Sequence, residues 1–126
     1  MEGQSQYYGK GTPGNSDWLD ATMSLVDYGH RGVPNVFLGA PLESTGTWNA
    51  AHFKNTQYDK LVAQYVAAPD LSSQRTAAGQ IQTLLLNETP IIYAYFYNYL
   101  TATASSVSGV YPTAIGHLFL YNATKS

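Results

Sequence analysis

The chain has 126 residues, enough for one domain with a real core, and 44% of them are apolar. Only 11% are charged, against roughly 25% in ordinary soluble chains. The net charge of −2 offers no electrostatic footprint for nucleic acid or an anionic membrane, and the lack of cysteine excludes a disulfide framework, a thiolate metal site and a cysteine nucleophile.

The first residues, Met1-Glu2-Gly3-Gln4-Ser5-Gln6, have neither the basic nor the apolar stretch of a signal peptide. No apolar run reaches the ~20 residues that span a bilayer. If the protein is exported, its signal is expected outside these residues. Residues 4–8 read as a short edge strand, and residues 9–16 as a loop of glycine, proline and small polar residues. Met23, Leu25 and Asp27 alternate with Thr22, Ser24 and Val26, the period of a strand running into Tyr28. Pro34 suits the first position of a short helix carrying Val36, Phe37 and Leu38, which Gly39 and Pro41 stop.

Asn55 or Thr56 caps the next helix, and Thr56-x-x-Asp59 has the form of a capping box. Tyr58, Leu61, Val62 and Tyr65 fall on one apolar stripe, and Pro69 ends the element. Asp70 caps a second helix in which Ala77, Ala78, Ile81, Leu84 and Leu85 keep the same period. The two helices are expected to pack as neighbours on one side of a sheet. Asn87-Glu88-Thr89-Pro90 breaks the second one. Residues 91–97 form a continuous β-favouring run, the mark of a strand covered on both faces. Residues 107–111 and 117–121 are further strand candidates around Pro112 and Gly116. The pattern predicts a mixed α/β arrangement. Nothing between Thr89 and Thr124 is charged, so this tail is either buried or exposes a neutral, hydroxyl-rich surface.

Most sequence signals for chemistry have better structural readings. Gly9-Lys10-Gly11-Thr12-Pro13-Gly14 matches G-x-G-x-x-G, but Pro13 interrupts it and no hydrophobic helix follows, so it reads as a flexible loop. His30, His52 and His117 lack metal-ligand spacing. Asp27 and His30 have no nucleophile elbow to complete a triad. The sequon Asn122-Ala123-Thr124 has no meaning without a eukaryotic secretory route. Tyr28, His30 and Arg31 in one loop, and Trp48-Asn49 in another, differ in kind. An aromatic wall beside hydrogen-bonding groups suits a polar organic ligand. For Tyr28, His30 and Arg31 binding and packing read equally well; for Trp48 packing is favoured.

Four landmarks recur in order: Asp27-Tyr28-Gly29-His30-Arg31, Gly46-Thr47-Trp48-Asn49, Asn55-Thr56-Gln57-Tyr58-Asp59-Lys60-Leu61 and Glu88-Thr89-Pro90-Ile91-Ile92-Tyr93. With Arg75, Ala78 and Gln82 on the second helix and Val107-Ser108-Gly109-Val110 after it, they resemble the C-terminal part of family 5 extracellular solute-binding proteins, the receptors of peptide-type ABC importers. The resemblance runs from about Tyr7 to the C-terminus. It implies a type II periplasmic-binding-protein-like α/β fold of two lobes around a cleft. Residues 1–92 would belong to the C-terminal lobe, and residues 93–126 would be a hinge-crossing strand and tail returning to an N-terminal lobe absent from this chain.

The same resemblance implies a non-enzymatic receptor without cofactor, periplasmic or extracellular and membrane-associated. It would deliver a small polar ligand to an ABC permease. Tyr28, His30, Arg31, Trp48 and Asn49 would line its cleft. Many peptide-binding relatives carry an aspartate before the segment matched by Pro34-Asn35-Val36-Phe37-Leu38; here His30 and Arg31 stand near that place. A guanidinium suits a carboxylate or phosphate rather than an ammonium group, which turns the expectation toward acidic or opine-like ligands beside oligopeptides. An uncovered lobe face implies self-association. The alternative is a stand-alone secreted carbohydrate- or surface-binding module that uses its exposed aromatics.

Overall fold

The computed structural model describes residues 3–29, 31–96, 98–113 and 116–126. Five helices come first: α1 (Gln4–Tyr8), α2 (Asp17–Asp20), α3 (Asn35–Gly39), α4 (Thr56–Ala67) and α5 (Leu71–Glu88). Four two-residue strands follow: β1 (Val107–Ser108), β2 (Tyr111–Pro112), β3 (Leu118–Phe119) and β4 (Thr124–Lys125). The chain divides into one unit of Met1–Asp27 with Val33–Ile92 and another of Tyr28–Gly32 with Tyr93–Ser126.

The core of the first unit is the α4–α5 pair. Asn55 caps α4, its side chain accepting from the Gln57 and Tyr58 amides, and Asp70 caps α5 through the Ser73 amide. Tyr58, Leu61, Val62 and Tyr65 face Ala77 and Ile81, with Leu42 beneath them and Ala78, Leu84 and Leu85 at the margin. Tyr58 is fully buried, yet its hydroxyl donates to the Leu38 carbonyl at 2.8 Å, so burial leaves no orphaned donor. The capping box does not form. Asn55 holds the cap, and Asp59 reaches back to accept from the Ser44 amide at 3.0 Å.

Two early expectations are overturned. Residues 4–8 form helix α1 rather than a strand, ended by Gly9 at φ +51°; a Cβ on Gly9 would lie 2.0 Å from the Asn15 carbonyl oxygen. The segment around Met23 and Leu25 forms no strand, because no neighbouring strand offers a ladder. Met23 is 91% exposed, and the Leu25 carbonyl accepts from the Tyr7 hydroxyl. A smaller buried patch of Ser16, Trp18 and Leu19 packs near Tyr8, whose ring centroid is 6.0 Å from that of Trp18.

In the second unit β1 pairs antiparallel with β4, and β2 with β3, as one nested hairpin. Residues 109–110 on the outgoing arm face the longer stretch 120–123 on the return. The extra residues turn tightly, with the Ala123 amide donating to the Leu120 carbonyl. Gly109 makes room for that turn: its φ is +74°, and a Cβ would stand 2.0 Å from the Asn122 carbonyl oxygen. The strand expected over residues 91–97 is not found. Residues 91–96 are neither helix nor strand, and Tyr97 lies outside the described residues. Helices and strands thus occur together, as expected. A larger mixed sheet flanked by the helices is absent among the described residues, where both ladders are two-stranded.

Candidate functional site

Trp48 and Asn49 sit in the connection between α3 and α4, and the local sequence explains why it closes. A Cβ on Gly46 would approach the carbonyl oxygens of Ala40 and Gly39 to 2.3 and 2.7 Å, so the loop can fold onto the end of α3 only with glycine there. That approach lets the Trp48 amide donate to the Ala40 carbonyl at 2.9 Å. Asn49 then clamps the loop. Its Nδ2 donates to the Glu43 and Phe53 carbonyls at 3.1 and 2.7 Å, and its Oδ1 accepts from the Phe53 amide at 2.9 Å. The directional partners of Asn49 are therefore backbone groups, and its effect is to fix the turn that presents the half-buried indole of Trp48.

Tyr28 and Arg31 lie in the short Tyr28–Gly32 stretch that groups with the tail. Tyr28 is half-buried and Arg31 is exposed, its Nη1 donating to the Gly29 carbonyl at 2.9 Å. That contact curls the guanidinium over its own loop. His30, and with it the Asp27–His30 pairing, lies outside the described residues. The structure thus joins Tyr28 with Arg31, and Trp48 with Asn49, in different units.

The glycine-rich loop has its own anion. Gly9, Gly11 and Gly14 all take positive φ, and the Gly14 and Ser16 amides donate to the two carboxylate oxygens of Asp20 at 2.8 and 3.2 Å. These amides hold the Asp20 carboxyl below the usual carboxylate range. They are occupied by the chain itself and do not cradle a phosphate. Among the described residues no three of His, Cys, Asp and Glu gather where a metal ion would sit. Two open grooves run along α4 and α5. One, of about 580 Å³, is lined by Gln57, Thr76, Gln80 and Glu88 among others; the second, of about 520 Å³, lies by Gln64, Ala67 and Ser72. Neither includes a residue of the sequence-predicted site.

The clamp residues were legible only as landmarks. Asn49 had been grouped with Trp48 for its chemistry, whereas the preceding Gly46 and the following Phe53 are what show its backbone role. Asp20 escaped notice because a carboxylate that closes its own loop carries no spacing signature.

No known family model matches the chain. A curated relative does. The sequence is 31% identical over 102 residues to the dipeptide-binding protein DppE of Bacillus subtilis (strain 168). The match covers 81% of this chain but 18% of that protein, so the chain spans less than a fifth of its relative's length. Among the described residues no helix is long and apolar enough to cross a membrane.

Proposed function

We propose that this chain is the C-terminal portion of a family 5 extracellular solute-binding protein, outside the cytoplasmic membrane, that captures a small polar solute for an ABC permease. The observation that carries the proposal is the 31% identity to a protein named for dipeptide binding, sustained over 81% of this chain. The capped α4–α5 pair would form the scaffold of one lobe. The Tyr28–Gly32 loop would contact the solute, and Asn49 keeps the Trp48 turn of the helical unit in place. Arg31 would meet a carboxylate, by a charge-assisted and bidentate contact, which suits either the C-terminus of a short peptide or an opine-like acid. Closure of the lobes on the solute, without bond chemistry, would be the functional event.

Calorimetric titration of the longer polypeptide that this reading requires, against dipeptides and opine-like acids, tests it. Binding of one class, weakened roughly tenfold or more by Arg31→Ala, supports the proposal. Failure to bind either class contradicts it.

One observation favours a second reading, a stand-alone carbohydrate- or surface-binding module. Tyr111 stands directly across from Phe119, and Tyr121 lies 6.0 Å from Phe119 between ring centroids, so an exposed aromatic row marks this hairpin. Retardation of the 126-residue chain in polysaccharide gels, abolished by Phe119→Ala, would move the assignment there.

A further inference from the structure

The run Ile91-Ile92-Tyr93-Ala94-Tyr95-Phe96-Tyr97 has the composition of a strand buried on both faces, with no charge, glycine or proline. Its surroundings do not supply that burial. Ile91 touches the helical core, but Ile92 is 82%, Tyr93 61%, Tyr95 79% and Phe96 96% exposed. Among the described residues no backbone hydrogen bond involves residues 91–96. Unpaired amides and carbonyls on an apolar, β-favouring segment are a template for another strand.

We propose that residues 92–96 pair antiparallel with the same residues of a second copy, about a two-fold axis through Ala94. The sequence is self-complementary in that register. Ala94, the smallest residue of the run, faces its own copy; Ile92 meets Phe96, and Tyr93 meets Tyr95. Alternation along a strand puts Ile92, Ala94 and Phe96 on one face and the two tyrosines on the other. These are β-branched–aromatic and aromatic–aromatic cross-strand pairs, the kinds that stabilise ladders. Charge also permits the axis. A two-fold interface brings each group near its own copy, and no residue between Thr89 and Thr124 carries a charge to repel itself.

With Tyr99 and Leu100, also exposed, the segment offers on the order of 800 Å² of apolar surface per copy before pairing, of which the ladder covers a part. The inference concerns the 126-residue chain by itself and stands apart from the solute-binding reading.

Sedimentation and amide exchange on the 126-residue chain test it together. The expected result is a monomer at low concentration and a dimer at high concentration, with the amides of residues 92–96 exchanging more slowly in the dimer. Tyr95→Lys with Phe96→Lys weakens association roughly tenfold or more and leaves the helical circular dichroism unchanged, since neither residue belongs to the α4–α5 core. A monomer at every concentration from micromolar to millimolar overturns the proposal. So does a dimer indifferent to the lysines, or one whose residues 92–96 gain no protection.

Discussion

The α4–α5 pair and the segment that follows Pro90 are both rich in apolar residues, yet they end in opposite circumstances. In the helices every third or fourth residue is apolar, and that stripe finds its complement on the neighbouring helix, with Leu42 and Leu38 closing the base. Both N-termini are capped from their own sequence, by Asn55 and Asp70. In the tail apolar residues come consecutively, a pattern that asks for cover on two faces, and Ile92, Tyr93, Tyr95 and Phe96 stay mostly exposed. A helix satisfies its backbone internally, whereas a strand depends on a neighbour.

Substitutions that separate the two regions follow in decreasing order of effect. Ile81→Ala, at a residue 2% exposed, is expected to destabilise the helical unit by about 2–5 kcal/mol; Ile92→Ala in the dilute monomer should leave stability nearly unchanged. Urea denaturation followed by circular dichroism at the helical wavelength measures both. Asn49→Ala should cost about 1–3 kcal/mol by stranding the Phe53 amide and carbonyl, and the same titration shows it. Gly109→Ala is expected to strain the hairpin by about 1–2 kcal/mol through its positive φ alone, with the Cβ approach to the Asn122 carbonyl added to that. Amide exchange should then rise over residues 107–125 and stay unchanged in α4 and α5.

The smallest effect is on acid stability. Hydrogen bonds from Ser73 hold the Asp70 carboxyl below the usual carboxylate range, as the Gly14 and Ser16 amides do for Asp20. A carboxyl lowered in the folded state contributes stability that is present above the unfolded value and lost as pH falls through the folded one. Stability should therefore hold above the ordinary carboxylate range and decline below it. Asp70→Asn should flatten that decline in urea midpoints measured across acid pH.

The same contrast explains what the sequence made legible. The helices were readable in detail because caps, stripe and breaker are local: Asn55, Tyr58-Leu61-Val62-Tyr65, Pro69 and Asp70 all act within a few residues. The hairpin was legible in position, through Val107, Pro112 and Gly116, but its nested register rests on the close approach of Gly109 to Asn122, which no local pattern announces. The strand expected at residues 91–97 is not found over 91–96, which join no ladder among the described residues. The turn at Gly46–Asn49 was recognised as important, although its most evident employment is structural. The expected share of Tyr28, His30 and Arg31 in a cleft came from resemblance and is carried forward only as a proposal.

Titration calorimetry of the isolated 126 residues with dipeptides and opine-like acids, beside the longer polypeptide under the same conditions, is the most direct test that this chain is one wall of a solute-binding cleft. The expected result is weak or no heat from the isolated chain and saturable one-to-one binding by the longer one. Tight, stoichiometric binding by the 126 residues alone would contradict it.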